Sequence, residues 1–117
     1  MSPFSIELKK LRMSRNLTQK EAAEALGYEQ SYLCALENGK KNAPQVAFIH
    51  QMEKKLQLNE QEKNLLLDSL HRSCRKFLLP VGVSEQEYEL FNELKSHWGN
   101  LSESQVNLIK LVLQKSS

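Results

Sequence analysis

The apolar positions of the chain recur at helical spacing almost throughout, and no stretch alternates as a strand would. Phe4, Leu8 and Leu11 step by four and three, which predicts a first helix over about Pro3–Ser14. Thr18 with Glu21 three residues on forms a Thr-x-x-Glu capping box, so a second helix is expected from Gln19 to about Leu26. A third starts near Tyr28–Gln30 and ends near Glu37. Val46, Ile49, Met52 and Leu56 step three, three and four along a fourth, with Pro44 in its first turn. Asn59 and Glu62 cap a fifth that runs to Phe77 along the stripe Leu66, Leu70, Cys74, Phe77, widened by Leu65 and Leu67. Leu79-Pro80-Val81-Gly82-Val83-Ser84 breaks the pattern. Ser84 and Glu87 then open a sixth helix to about Trp98, and Ser102 caps a seventh after the turn at Gly99-Asn100.

The second and third helices stand out. Ala23 is small enough to let another helix cross close by. Gly27, four residues later, sits where the chain must turn sharply, and a residue without Cβ accepts φ > 0 there without strain. Leu33 and Leu36 are three apart and share one face. Together these are the apolar skeleton of a helix-turn-helix, a unit that offers its second helix to the DNA major groove. With Leu33 and Leu36 turned inward, Gln30, Ser31, Tyr32 and Ala35 face outward. Glutamine can pair with the N6/N7 edge of adenine, serine with several bases, and an alanine methyl with the thymine methyl. Gln19 lies in the first turn of the second helix beside Lys20, where free N–H groups suit a phosphate. Asn38-Gly39 signals a turn, and Lys40 and Lys41 follow it as candidate phosphate contacts.

The run LRMSRNLTQKEAAEALGYEQSYLCALENGKK resembles the DNA-binding domain of the lambda repressor, Cro and XRE-type helix-turn-helix family. The likeness covers Phe4 to about Leu58 and weakens beyond it. Gln19, Gln30, Ser31, Ala35 and Asn38 stand at the family's DNA-facing positions, with Thr18, Lys20, Lys40 and Lys41 in support. The resemblance implies an Arg12–Glu37 ion pair tying the first helix to the recognition helix, and a glutamine at the Gln19 position that can brace one at the Gln30 position. Two residues depart from the pattern. Glu29 stands where a small N-capping residue is common; it can favour a helix N-terminus or accept from a cytosine N4, but it repels phosphate. Tyr32 is bulky for its position and suits the sugar-phosphate backbone or a base. Cys34 replaces a residue that is often small and polar, and is read as packing.

Composition fits this picture without adding to it. The chain has 117 residues, 40% of them hydrophobic, and a net charge of +2. Residues 1–58 hold nine Lys/Arg against six Asp/Glu, and residues 59–117 hold seven against eight. That imbalance permits a polyanion at the N-terminal half. Two cysteines, Cys34 and Cys74, no signal-like N-terminus and no long apolar run lead to the expectation of a cytoplasmic protein. The family resemblance implies nucleoid association when bound and a bacterial, phage or mobile-element origin.

No Gly-rich phosphate loop, zinc-finger spacing or nucleophile elbow is present, and His71 with Cys74 gives two ligand types where a metal site needs more. No catalytic residue, metal or cofactor is expected. The expectation is therefore an all-α protein. Residues 1–78 form a five-helix, lambda-repressor-like DNA-binding domain, with its core at 4–58 and the fifth helix at about 60–77. Residues 79–117 form a helical extension for dimerisation through Tyr88, Phe91, Leu94, Trp98, Val106, Ile109 and Leu113. The seventh helix leaves little polar face, which calls for burial on more than one side. The function expected is a homodimeric repressor of its own operon, bound to an inverted repeat of double-stranded DNA. The alternatives are an antitoxin-type protein with a partner toxin, or an interaction module that reuses the fold.

Overall fold

The computed structural model describes residues 1–115; the last two residues of the extension expected at 79–117 lie outside the described residues. Among the described residues there are seven helices and no strand: α1 (Pro3–Ser14), α2 (Gln19–Leu26), α3 (Gln30–Glu37), α4 (Val46–Leu56), α5 (Glu60–Arg72), α6 (Glu85–His97) and α7 (Glu103–Lys115). The chain divides into two compact units, Met1–Phe77 and Leu78–Ser117.

In the first unit α1 packs against α5 and α3, α2 against α3 and α4, and α4 against α5. Their shared core contains Phe4, Leu8, Leu11, Ala22, Ala23, Leu26, Leu33, Leu36, Phe48, Ile49, Met52, Leu58 and Leu66. Ala23 is 1% exposed, so its small side chain is what lets α3 approach α2. The helix ends are closed by local chemistry. Ser2 caps α1 by accepting from the Ser5 N–H at 3.1 Å, with Pro3 in the first turn where its missing N–H costs nothing. Reciprocal capping boxes open α2 (Thr18, Glu21) and α5 (Asn59, Glu62). Gly27 and Gly39 take φ of +81° and +73°, and each ends its helix with the paired backbone bonds of a Schellman turn.

The structure corrects the sequence reading at α4 and α5. Helix α4 begins at Val46 with Gln45 as its N-cap, so Pro44 precedes it. The inward stripe is Phe48, Ile49 and Met52, and Val46 is 47% exposed. Helix α5 ends at Arg72 and does not reach Phe77. The Phe4 N–H donates to the Ser73 hydroxyl at 2.9 Å, and that hydroxyl donates to the Ser69 carbonyl at 2.7 Å. Ser73 is thereby fixed against the start of α1 and the chain turns away, leaving Cys74 and Phe77 exposed.

In the second unit, Ser84–Glu87 and Ser102–Gln105 form the two reciprocal caps. Helix α6 ends at His97, and Trp98 lies just outside it in extended backbone. Residues of α6, α7 and the turn between them line a groove of about 390 Å³ that includes Leu90, Leu94, Leu101, Leu108 and Ile109. No described residue after Ser73 is buried.

Candidate nucleic-acid interface

Helix α3 buries Leu33, Leu36 and Glu37 and exposes Gln30 and Ser31 at its start. Gln30 and Ser31 make no side-chain hydrogen bond among the described residues, while Ala35 is half-buried. Glu29 is the N-cap residue; its side chain makes no capping bond, so it leaves first-turn N–H groups of α3 open to a ligand. Tyr32 behaves differently from its expected outward placement. Its ring is half-buried, 5.2 Å from Tyr28 and 6.4 Å from Phe48, and burial pushes its hydroxyl pKa up. Phe48 in turn meets Phe4 edge-on at 6.2 Å. This aromatic cluster braces the base of α3. It went unread in the sequence because Tyr28 lies in a turn and Phe48 falls off the stripe assigned to α4.

Behind α3 stands a polar strut. Arg12 Nε donates to Glu37 Oε2 at 2.7 Å, and Nη2 to Oε1 at 3.0 Å. Arg12 Nη1 also donates to the Leu17 carbonyl at 2.8 Å. Glu37 is 1% exposed, so its carboxylate is tolerated there only because this fork neutralises it. The same bond raises the Arg12 pKa above its ordinary value. Gln19 Nε2 donates to Glu37 Oε1 at 3.2 Å. The Gln19 amide thus braces the end of α3 through Glu37, and no hydrogen bond joins it to Gln30 among the described residues. A buried carboxylate is the stronger acceptor of the two.

A second fork, unread in the sequence, joins Arg15 to Glu62, both oxygens at 2.7 Å. It ties the end of α1 to the first turn of α5. Gln51 Nε2 donates to the Leu26 carbonyl at 2.7 Å, which satisfies an otherwise open carbonyl at the end of α2 and holds it to α4.

The flanks carry the remaining sequence candidates. Thr18 and Lys20 are exposed at the start of α2, with Thr18 engaged in its cap. Asn38 is the C-cap residue of α3 and donates to Cys34 Sγ at 3.3 Å. The N–H groups of Lys40 and Lys41 reach the Ala35 carbonyl at 2.9 and 3.4 Å. That folds the loop back against the last turns of α3 and sets both exposed lysine side chains beside it.

A model of the helix-turn-helix domain family matches residues 3–66, and the chain belongs to that family. The match agrees with the lambda repressor, Cro and XRE-type likeness of residues 4–58 and marks a DNA-binding regulator. The chain matches no curated protein and no solved structure. Among the described residues, no group of three or more His, Cys, Asp or Glu is placed to hold a metal ion. No helix among them is long and apolar enough to cross a membrane.

Proposed function

We propose that this protein is a dimeric transcriptional repressor that binds an inverted repeat near its own operon. Base reading falls to Gln30, Ser31 and Ala35 of α3, with Glu29 tuning the choice at the helix start. Thr18, Gln19, Lys20, Asn38, Lys40 and Lys41 set register on the backbone. The observation that carries this reading is the division of α3: its inner face is locked by Leu33, Leu36 and the Arg12–Glu37 fork, while Gln30 and Ser31 stand exposed with no side-chain hydrogen bond among the described residues. A rigid helix with an idle polar face is what groove reading requires.

Dimerisation is assigned to α6 and α7. Tyr88 and Trp98 are exposed, and Phe91, Leu94 and Val106 are only half-covered within the unit. Together with the apolar groove at Leu90, Leu94, Leu101, Leu108 and Ile109, this exposed apolar surface suits an interaction face. A second copy seated there would bring two recognition helices to one duplex, whose successive major grooves lie ~34 Å apart. A partner protein is the second reading, favoured by one feature: Leu108, Leu111 and Val112 are all exposed in addition to Ile109, so apolar surface spreads around α7. An antitoxin would use such surplus surface for its toxin.

The test is fluorescence anisotropy on the DNA upstream of the gene and on a scrambled duplex. Preference for the upstream duplex, with a two-fold symmetric footprint, is the expected result. Equal binding to both duplexes would reject autorepression.

A further inference from the structure

We propose that a second basic segment, Arg75 and Lys76 beyond α5, joins Lys40 and Lys41 in a single phosphate-gripping edge beside α3. The proposal rests on the DNA-binding reading and extends the contact past the matched residues 3–66. Three parts of the chain meet at this edge. The start of α1 is bonded to Ser73 through the Phe4 N–H. Residue Met1 lies against the loop after α3, since a Cβ placed on Gly39 would come within 3.2 Å of the Met1 Cα. The segment after α5 reaches the same loop, where Arg75 Nη1 donates to Asn42 Oδ1 at 2.9 Å. Asn42, Ala43 and Pro44 form one wall of a shallow groove whose other wall includes Ser73, Arg75 and Lys76.

The two segments that form this edge are basic. Residues 38–52 and 69–84 contain no Asp or Glu, yet hold Lys40, Lys41, Arg72, Arg75 and Lys76. Arg72 is engaged by Asp68 at 2.9 Å, and the other four make no ion pair among the described residues. All four are exposed. Unpaired cations gathered together repel one another, and a polyanion relieves that repulsion. Arg75 is also pre-positioned. Asn42 holds one nitrogen of its guanidinium, leaving Nε and Nη2 to fork a phosphate. The lysines follow the recognition helix directly, so the nearest polyanion is the backbone flanking the groove that α3 occupies. Contacts of this kind add affinity and register without reading sequence.

The experiment uses the full chain, comparing wild type with the Arg75→Gln/Lys76→Gln double variant. Anisotropy is measured from low to moderate salt on the upstream duplex and on its scrambled counterpart. Loss of two phosphate contacts lowers the slope of log K against log salt by roughly 2. Affinity is expected to fall equally on both duplexes, so the preference between them stays constant. A double variant with wild-type slope and affinity overturns the proposal and leaves the DNA-binding reading standing. A wild type that binds neither duplex overturns both. Unchanged DNA binding together with lost retention on poly-glutamate would assign the edge to an acidic protein, and also overturns it. Both side chains are exposed, so far-UV circular dichroism is expected to be unchanged.

Discussion

The two units of this chain use the same helix-capping grammar and end with opposite surfaces. Both open helices with reciprocal side-chain caps, Thr18–Glu21 and Asn59–Glu62 in the first, Ser84–Glu87 in the second. The first unit then encloses thirteen apolar side chains, Ile49 and Met52 among them. The second encloses none among its described residues, although α6 and α7 carry as many large apolar side chains as two core helices would. Local signals therefore decide that a helix forms, and only tertiary partners decide what covers it. The first unit supplies its own partners; the second leaves its apolar surface exposed among the described residues, the face to which we assign dimerisation.

This contrast predicts where substitutions will register. In the first unit they should change unfolding regardless of protein concentration. The largest effect is expected from Arg12→Ala, which strands the Glu37 carboxylate in the core and costs about 3–5 kcal/mol in urea unfolding. Replacing both partners together, Arg12→Met with Glu37→Leu, should recover most of that loss. A double variant as unstable as Arg12→Ala would show that the fork is not the cause.

In the second unit the effect should appear in assembly. Leu94→Glu is expected to convert a dimer of the 13.5 kDa chain to monomer in sedimentation equilibrium. Affinity for paired half-sites should drop on the order of 100-fold, with single half-site binding unchanged. A wild type that sediments as a monomer at all concentrations would break the comparison.

The smallest effect concerns acid. Arg15 holds the Glu62 carboxyl below the usual carboxylate range, helped by the Asn59 backbone N–H. A carboxylate lowered in the folded state contributes stability above its unfolded pKa of about 4.3, and that stability is lost as pH falls through the folded value. Glu62→Gln keeps the capping position but drops the ion pair. It should cost roughly 0.5–1 kcal/mol at pH 7 and flatten the acid limb of the stability profile. An unchanged acid limb would place the sensitivity elsewhere.

Much of the fold could be read along the chain because its signals are local. Caps, glycine turns and helical spacing lie within a few residues of one another, and Gly27 and Gly39 occupy the left-handed conformations their positions suggest. What could not be read was set by residues far apart. Nothing near Ser73 says that α5 stops there; the reason is a hydrogen bond from Phe4, sixty-nine residues away. The phase of α4 was ambiguous because Val46 and Phe48 both fit a helical stripe, and only the aromatic cluster with Tyr28 and Tyr32 selects Phe48. Tyr32 looked outward by subtraction for the same reason. Gln30 and Ser31 emerge as the exposed face because the two leucines that exclude them from the core sit on the same short helix.

Base reading by α3 through Gln30 is tested most directly by selecting the preferred duplex from a random pool and replacing its adenines one at a time with 7-deazaadenine. Wild type should lose about 1–3 kcal/mol at one adenine in each half-site, and Gln30→Ala should be indifferent to that replacement. If Gln30→Ala binds the selected duplex as tightly as wild type, with the same sensitivity at the same adenine, α3 does not read DNA in the way proposed.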